Sequence, residues 1–251
     1  VAPAALLAFV GGLLVGSFIT VVAHRVPRNE SIVGPRSRCP GCGTQIAAYD
    51  NVPIVSWLVL RGRARCCGAS ISARYPLTEL AVGILYALTV IVLWGDATEV
   101  VEGLVFVPVL VAVTLTDLER RIIPNKILLV GGILAVVVAA VGDPGGLPIR
   151  LIAGAGAGGL LFLAALAYPR GMGLGDVKLA ATMGLFLGRN VIPAMFVALL
   201  AGSAVGIAII ARDGPEARKR AIPFGPFLAF GGVVGLLLGD HLVHLYLNTF
   251  T

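Results

Sequence analysis

Gly171-Met172-Gly173-Leu174-Gly175-Asp176-Val177-Lys178 sets a carboxylate at the edge of an apolar helix, directly behind three alternating glycines. Charge in an apolar span is costly, which makes Asp176 a functional candidate by default. Its counterpart is Asp117, in Thr116-Asp117-Leu118-Glu119-Arg120-Arg121, at the end of another apolar run. What these two acids do depends on whether the runs that carry them cross a membrane.

The composition says that they do. The 251 residues are 58% hydrophobic and 13% charged, against about 25% charge in a soluble domain, and the mean hydropathy is +0.97. An all-α polytopic membrane protein follows. With about 20 apolar residues per crossing, the sequence predicts about eight transmembrane helices, near 3–23, 77–94, 101–116, 127–141, 149–168, 177–188, 191–211 and 225–247. The sixth is short and abuts the glycine motif. Three regions follow: a first transmembrane helix over 1–23, a small cysteine-containing domain over 24–76 between helices 1 and 2, and a core of about seven helices over 77–251. The first apolar run has no basic residues before it and a basic segment after it, which is not the pattern of a cleavable signal peptide. Most of the 33 glycines read as close helix packing; Gly171, Gly173 and Gly175 are set apart.

Lys and Arg fall almost wholly in alternate connections. Segments 24–76, 117–126, 169–178 and 212–222 hold all of the 19 except Arg150 and Arg189. By the positive-inside rule the basic side is cytoplasmic and both ends of the chain face outward. The net charge of +6 is thus a topology signal, not a nucleic-acid footprint. Asp117 ends an inward-running span and Asp176 begins an outward-running one, so the two share a depth near the cytoplasmic face. Asp96, Glu99, Glu102, Asp143 and Asp240 fall on the outer side and read as solvated loop charges.

Segment 24–76 is too small to build much of a core unaided. Cys39-Pro40-Gly41-Cys42 has the spacing with which two thiolates grip one tetrahedral Zn²⁺. Cys66-Cys67 is an adjacent pair, which is poor geometry for joint chelation. Between them Tyr49-Asp50-Asn51-Val52-Pro53-Ile54-Val55-Ser56-Trp57 reads as a turn followed by an apolar patch. Glu79 falls in the first turn of the next helix, where the helix dipole accounts for an acid.

Two carboxylates can hydrolyse a peptide bond without a metal: one, ionised, takes a proton from water, and the other, protonated, polarises the carbonyl and donates to the amine. Like charges at close range cannot both ionise, so proximity enforces the split. Asp176 at a helix N-terminus leans toward base and Asp117 at a helix C-terminus toward acid, though the pair titrates as a unit. Gly173 and Gly175 leave room for an extended substrate strand beside Asp176. Lys178 lies on another face of its helix and reads as an interfacial anchor. No H-E-x-x-H motif is present.

Taken together, the motifs resemble the type IV prepilin peptidase and N-methyltransferase family, membrane aspartic proteases of the GxGD type. Gly16-Ser17-Phe18 and Arg25-Val26-Pro27 are similar to the family's opening. Cys39-Pro40-Gly41-Cys42, Asp50-Asn51-Val52-Pro53, Ser56-Trp57 and Arg74-Tyr75-Pro76 with Glu79 are similar to its cytoplasmic domain. Thr116-Asp117 with Ile123-Pro124-Asn125, then Gly173-Leu174-Gly175-Asp176-Val177-Lys178-Leu179, are similar to its two catalytic motifs, and Ile222-Pro223-Phe224-Gly225-Pro226-Phe227 to the segment before its last span. The resemblance implies a multi-pass enzyme of the bacterial inner membrane with Asp117 and Asp176 catalytic at the cytoplasmic face. It would cut the short leader from type IV pilin-like or type II secretion pseudopilin precursors, usually after a glycine. It would then methylate the new N-terminus with S-adenosylmethionine. Two departures stand out. Aligned on Gly62 and Gly68, the first cysteine of the family's frequent second C-x-x-C falls at Ala64; Cys39, Cys42 and Cys67 match, and the fourth ligand of a structural zinc is Cys66, another group or water. Thr20 stands where the family often has asparagine. Two other classes compete: a transporter using Asp117 and Asp176 as an ion relay, which requires acids near mid-bilayer and inverted repeats, and a zinc-stapled assembly platform.

Overall fold

The computed structural model describes residues 1–168, 172–214, 216 and 222–250. Arg170, Gly171, Arg218, Lys219 and Arg220, on which parts of the sequence reading rest, lie outside the described residues. Nine α-helices form among the described residues: α1 Ala2–Arg25, α2 Val55–Val59, α3 Arg74–Val92, α4 Ala97–Arg120, α5 Asn125–Gly142, α6 Leu147–Ala167, α7 Leu174–Leu187, α8 Val191–Asp213 and α9 Gly225–Phe250. Extended pairing among the described residues is limited to two isolated bridges, Arg38 with Gln45 and Arg63 with Ser70. The chain divides into two compact units, Val1–Trp94 and Gly95–Thr251.

Seven helical runs among the described residues are long and apolar enough to cross a membrane, where the sequence reading expects about eight. The difference lies in Leu174–Asp213, which counts as one run of 40 residues because only the 3₁₀ turn Gly188–Asn190 separates α7 from α8. Alone, α7 has 14 residues, about 21 Å of helix, too short for a full crossing. The chain reverses at Gly188, whose φ of 53° and ψ of −131° suit glycine and little else. The neighbours on α9 show the reversal: Leu187 lies against Gly235, Asn190 against Gly239 and Ala198 against Gly231. Thus α7 runs with α9, and α8 runs back along it.

In the first unit α1 and α3 pack antiparallel along small residues. A Cβ on Gly12 would stand 2.7 Å from the Cα of Gly83, and one on Gly16 2.7 Å from the Cα of Glu79. Such close backbone approach is how helices associate where lipid is as apolar as the side chains. Outward faces are apolar, with Leu6 and Leu7 exposed, as expected of surfaces solvated by hydrocarbon.

The second unit is the bundle α4–α9. Helices α4 and α5 are antiparallel, with Val109 against Gly131 and Thr98 against Gly142; α6 and α7 likewise, with Gly154 against Ala181 and Leu185. The core is filled by Phe106, Leu110, Leu179, Met183 and Leu228, all fully buried. At its start α4 is capped by Asp96, whose carboxylate accepts the N–H groups of Thr98 and Glu99 at 2.8 and 3.0 Å.

Among the outer-side acids, the solvated-loop expectation needs correction at Glu102. Asp96 is that cap. Asp143 accepts the Gly146 N–H at 3.0 Å and Asp240 accepts from Asn190 Nδ2 at 3.0 Å. Glu102 is only 3% exposed and pairs with Arg150 at 2.6 Å. Asp96 and Asp240 are exposed and Asp143 partly so, and these keep contact with solvent, whereas buried Glu102 depends on Arg150 for its donor.

Gly12→Val would force α1 off α3 and is expected to destabilise the protein in detergent by about 1–3 kcal/mol. Gly11→Val, at a position with nothing within 4 Å of the added Cβ, is expected to change stability by less than about 0.5 kcal/mol. Thermal unfolding of the two variants side by side checks this, and equal losses would contradict the packing account.

Candidate functional site

Asp117 lies in the last turn of α4, and only 6% of it is exposed. The helix closes at Arg121, a left-handed residue (φ 55°, ψ 39°) whose N–H returns to the Asp117 carbonyl. Asp117 Oδ2 accepts the N–H of Gly225, the first residue of α9, at 2.9 Å. A Cβ on Gly225 would stand 2.8 Å from that oxygen, so the carboxylate reaches the helix start only because no side chain is there.

Asp176 occupies the first turn of α7. Its Oδ2 accepts the N–H of Gly173, the residue preceding the helix, at 3.3 Å, an acid-to-N-cap bond that also suits the helix dipole. The two acids come to the same end of the bundle, since Ile123, six residues after Asp117, lies against Gly175, the residue before Asp176. Their depths match by a second measure. Phe106 and Phe186 stack with centroids 4.6 Å apart. Phe106 lies eleven residues before Asp117 and Phe186 ten residues after Asp176, about 15–17 Å of helix in each case.

The connection after α4 locks onto α7. Ile123 meets Gly175, where a Cβ would stand 2.9 Å from the Ile123 Cβ, and Lys178 Nζ donates to Asn125 Oδ1 at 2.9 Å. These contacts correct two expectations. Lys178 ties α7 to the start of α5 and is no free interfacial anchor. Gly175 is needed for packing against Ile123. Gly173 has the extended φ −81°, ψ 145° open to any residue, and it is exposed beside Asp176. The polarity expected from α4 and α7 alone is also altered: Asp117 faces the N-terminus of α9 as well as ending α4, so each carboxylate has one backbone N–H and one helix N-terminus. Gly225 lies in a motif the sequence singled out without giving it a role. A carboxylate pair so held can share a proton and activate a water between them.

In the first unit the four cysteines converge, and their sulfurs all lie within 4.8 Å of one another. Cys39 and Cys67 Sγ are 3.5 Å apart, Cys42 and Cys66 3.2 Å, and Cys66 and Cys67 3.9 Å. Thiolates about 2.3 Å from a tetrahedral zinc stand about 3.8 Å from each other, so the set fits one ion. This overturns the objection to the adjacent pair.

Two similar turns explain the convergence. In one, Arg38 bridges Gln45, the Cys39 N–H donates to the Thr44 carbonyl, and Gly43 has φ 72°. In the other, Arg63 bridges Ser70, the Ala64 N–H donates to the Ala69 carbonyl, and Gly68 has φ 71°. Cys67 thereby takes the place of Cys42 and Ala64 that of Cys39, while Cys66, at the place of Gly41, turns its sulfur inward. Hydrogen bonds from Thr44 draw the Cys42 thiol down to about 6, and sharing with Cys42 and Cys39 pushes Cys66 up to about 12.

Beside this cluster Arg65 grips the Asp50 carboxylate with bonds of 2.8–3.1 Å. Glu79 is buried in the second turn of α3, where Oε2 accepts the Ile54 N–H at 2.8 Å. Its role is thus to hold a turn, beyond the helix-dipole account. Ile54 has φ 61° and ψ −51°, a strained conformation for a β-branched residue.

Residues 10–93 match the model of the bacterial peptidase A24 N-terminal domain, and residues 104–210 that of the type IV leader peptidase family. The chain is 35% identical to a prepilin leader peptidase/N-methyltransferase of Aeromonas salmonicida (strain A449), with 97% of this chain and 94% of that protein covered. It is also 35% identical to a protein of the same name from Bacillus subtilis (strain 168), with 96% of each covered. A relative of that name from Myxococcus xanthus (strain DK1622) is 40% identical over 82% of this chain. No solved structure matches. With both halves matched and such relatives aligned from end to end, the chain belongs to the type IV leader peptidase family, that of the prepilin leader peptidase/N-methyltransferases.

Proposed function

We propose that this protein cuts the short N-terminal leader from type IV pilin-like or pseudopilin precursors at the cytoplasmic face of the bacterial inner membrane, with Asp117 and Asp176 as the acid pair. The observation that carries this is that the end of α4 and the start of α7, which bear these two acids 59 residues apart in sequence, lie at one end of the second unit, tied through Ile123 on Gly175 and Lys178 on Asn125, with each acid accepting a backbone N–H. The ionised carboxylate takes a proton from water as its oxygen attacks the scissile carbonyl carbon. The neutral carboxyl protonates the carbonyl oxygen. The tetrahedral intermediate then expels the amine, which leaves with a proton from the pair, and the carbon–nitrogen bond is broken. An extended substrate has room at exposed Gly173, and Gly175 belongs to the wall behind it. Along the sequence, seventeen of the 19 basic residues fall in alternate connections, among them those that follow Asp117 and precede Asp176, which supports a cytoplasmic orientation.

By the names of its relatives the protein also methylates the new N-terminal amine, with S-adenosylmethionine supplying the methyl group when bound. Cys39, Cys42, Cys66 and Cys67 hold a structural zinc that shapes segment 24–76. The fit of their sulfur spacing to a single ion supports this.

Purified protein incubated with a prepilin-like peptide is expected to release the leader, and Asp117→Asn or Asp176→Asn to slow release by about a thousandfold without loss of fold. Uncut peptide with the unaltered protein would defeat the peptidase reading; labelled S-adenosylmethionine tests the methyl transfer separately. Gly225→Ala displaces the Asp117 carboxylate and is expected to lower kcat by about tenfold to a hundredfold, read from the same peptide. Metal analysis is expected to find one zinc per chain. Cys66→Ser is expected to weaken zinc retention against a chelator as much as Cys42→Ser does; retention equal to that of the unaltered protein would assign the fourth position to water or another group.

A further inference from the structure

Far from the aspartates, the same helices are joined by a single guanidinium. Arg150, in the first turn of α6, donates through Nη1 to Glu102 Oε2 of α4 at 2.6 Å and to the Phe186 carbonyl of α7 at 2.6 Å. Asp143 Oδ2 lies 4.0 Å from its Nη2. The Arg150 side chain is 12% exposed and that of Glu102 5%; Glu102 Oε1 is buried with no hydrogen-bond partner among the described residues. The last carbonyls of a helix have no partner within it, and a cation there is favoured by the dipole. The Phe186 carbonyl is one of these, two residues before Gly188 reverses the chain. Helix α7 is thus a short rod, pinned at its far end to α4 through Arg150 and carrying Asp176 at the end that meets Ile123 and Asn125. Its partner Asp117 sits at the corresponding end of α4.

We propose that Arg150 is a positioning residue for the acid pair. By bridging Glu102 of α4 and the Phe186 carbonyl of α7, it fixes the axial register of the two helices and hence the gap between Asp117 and Asp176. The stacked rings of Phe106 and Phe186 oppose lateral separation but give little resistance to sliding, since offset stacking tolerates a range of displacements. The bridge supplies directional bonds along the axis. Without it, Glu102 is left buried and unpaired, a state that favours rearrangement. An axial shift of about 1 Å at a reacting pair costs about a hundredfold in rate.

The proposal rests on the peptidase reading for its kinetic test and has a second readout that does not. Arg150→Met is expected to lower kcat for leader cleavage by about tenfold to a hundredfold with KM changed less than about twofold, and Arg150→Lys to restore most of the rate. Register is read independently in an Ile123→Cys/Gly175→Cys background, where the added Gly175 Cβ stands 2.9 Å from that of Ile123. This is shorter than the Cβ–Cβ range of a disulfide, about 3.5–4.5 Å, so the two segments part slightly when the bond forms. Oxidative cross-linking of that pair, identified by peptide mass, is expected to fall severalfold on adding Arg150→Met. Unaltered kcat together with unaltered cross-linking would overturn the proposal. If the unaltered protein cuts no peptide, the peptidase reading fails and the cross-link alone decides the register claim. If Arg150→Met does not accumulate folded, Glu102→Gln/Arg150→Met, which strands no charge, is measured in its place; failure of both to fold would assign Arg150 to folding and overturn the positioning role.

Discussion

Two carboxylates in an apolar bundle end have very few donors to choose from. Here each receives one backbone N–H, Asp117 from Gly225 and Asp176 from Gly173. Helix starts provide such groups because their first amides lack partners within the helix. That constraint dictates much of the second unit. Helix α9 must begin beside the end of α4, and it must begin with glycine, since a Cβ at 225 would occupy the carboxylate's position. Helix α7 must begin at the same depth, and Ile123 and Asn125 fix where it begins.

Having its start set in this way, α7 is free to be short. Fourteen residues do not cross a bilayer, and its far end is finished inside the bundle by Gly188 and by Arg150 on the Phe186 carbonyl. The cost of burying Glu102 and Arg150 is tolerable only because they face each other and the helix end. Polar chemistry in this unit is therefore concentrated at two levels, one holding the acids and the other holding the register. Apolar packing by Phe106, Leu110, Leu179 and Met183 fills the space between.

Helix-scale features were legible in the sequence because hydropathy over about 20 residues is a long, strong signal. The all-helical class and the helix positions follow from it. The break at Gly188–Asn190 was legible too, since the spans 177–188 and 191–211 fall on either side of it and the first is the short α7. Side-chain partners were less legible. Glu102 and Arg150 looked like loop charges because they lie near span ends, and only packing brings α4, α6 and α7 together around them. Cys66 looked misplaced beside Cys67, since spacing alone does not reveal that two similar turns, 38–45 and 63–70, face each other. Gly225 carried a family-like motif, but its contact with Asp117 spans 108 positions and leaves no local trace.

The central claim is that Asp117 and Asp176 act as one unit. Single-turnover cleavage of a prepilin-like peptide by Asp117→Asn, Asp176→Asn and the double variant tests it most directly. A shared function predicts that the double variant is no slower than the slower single variant, because either loss already disables the pair. Losses that multiply, or a single variant that cuts at the unaltered rate, would contradict it.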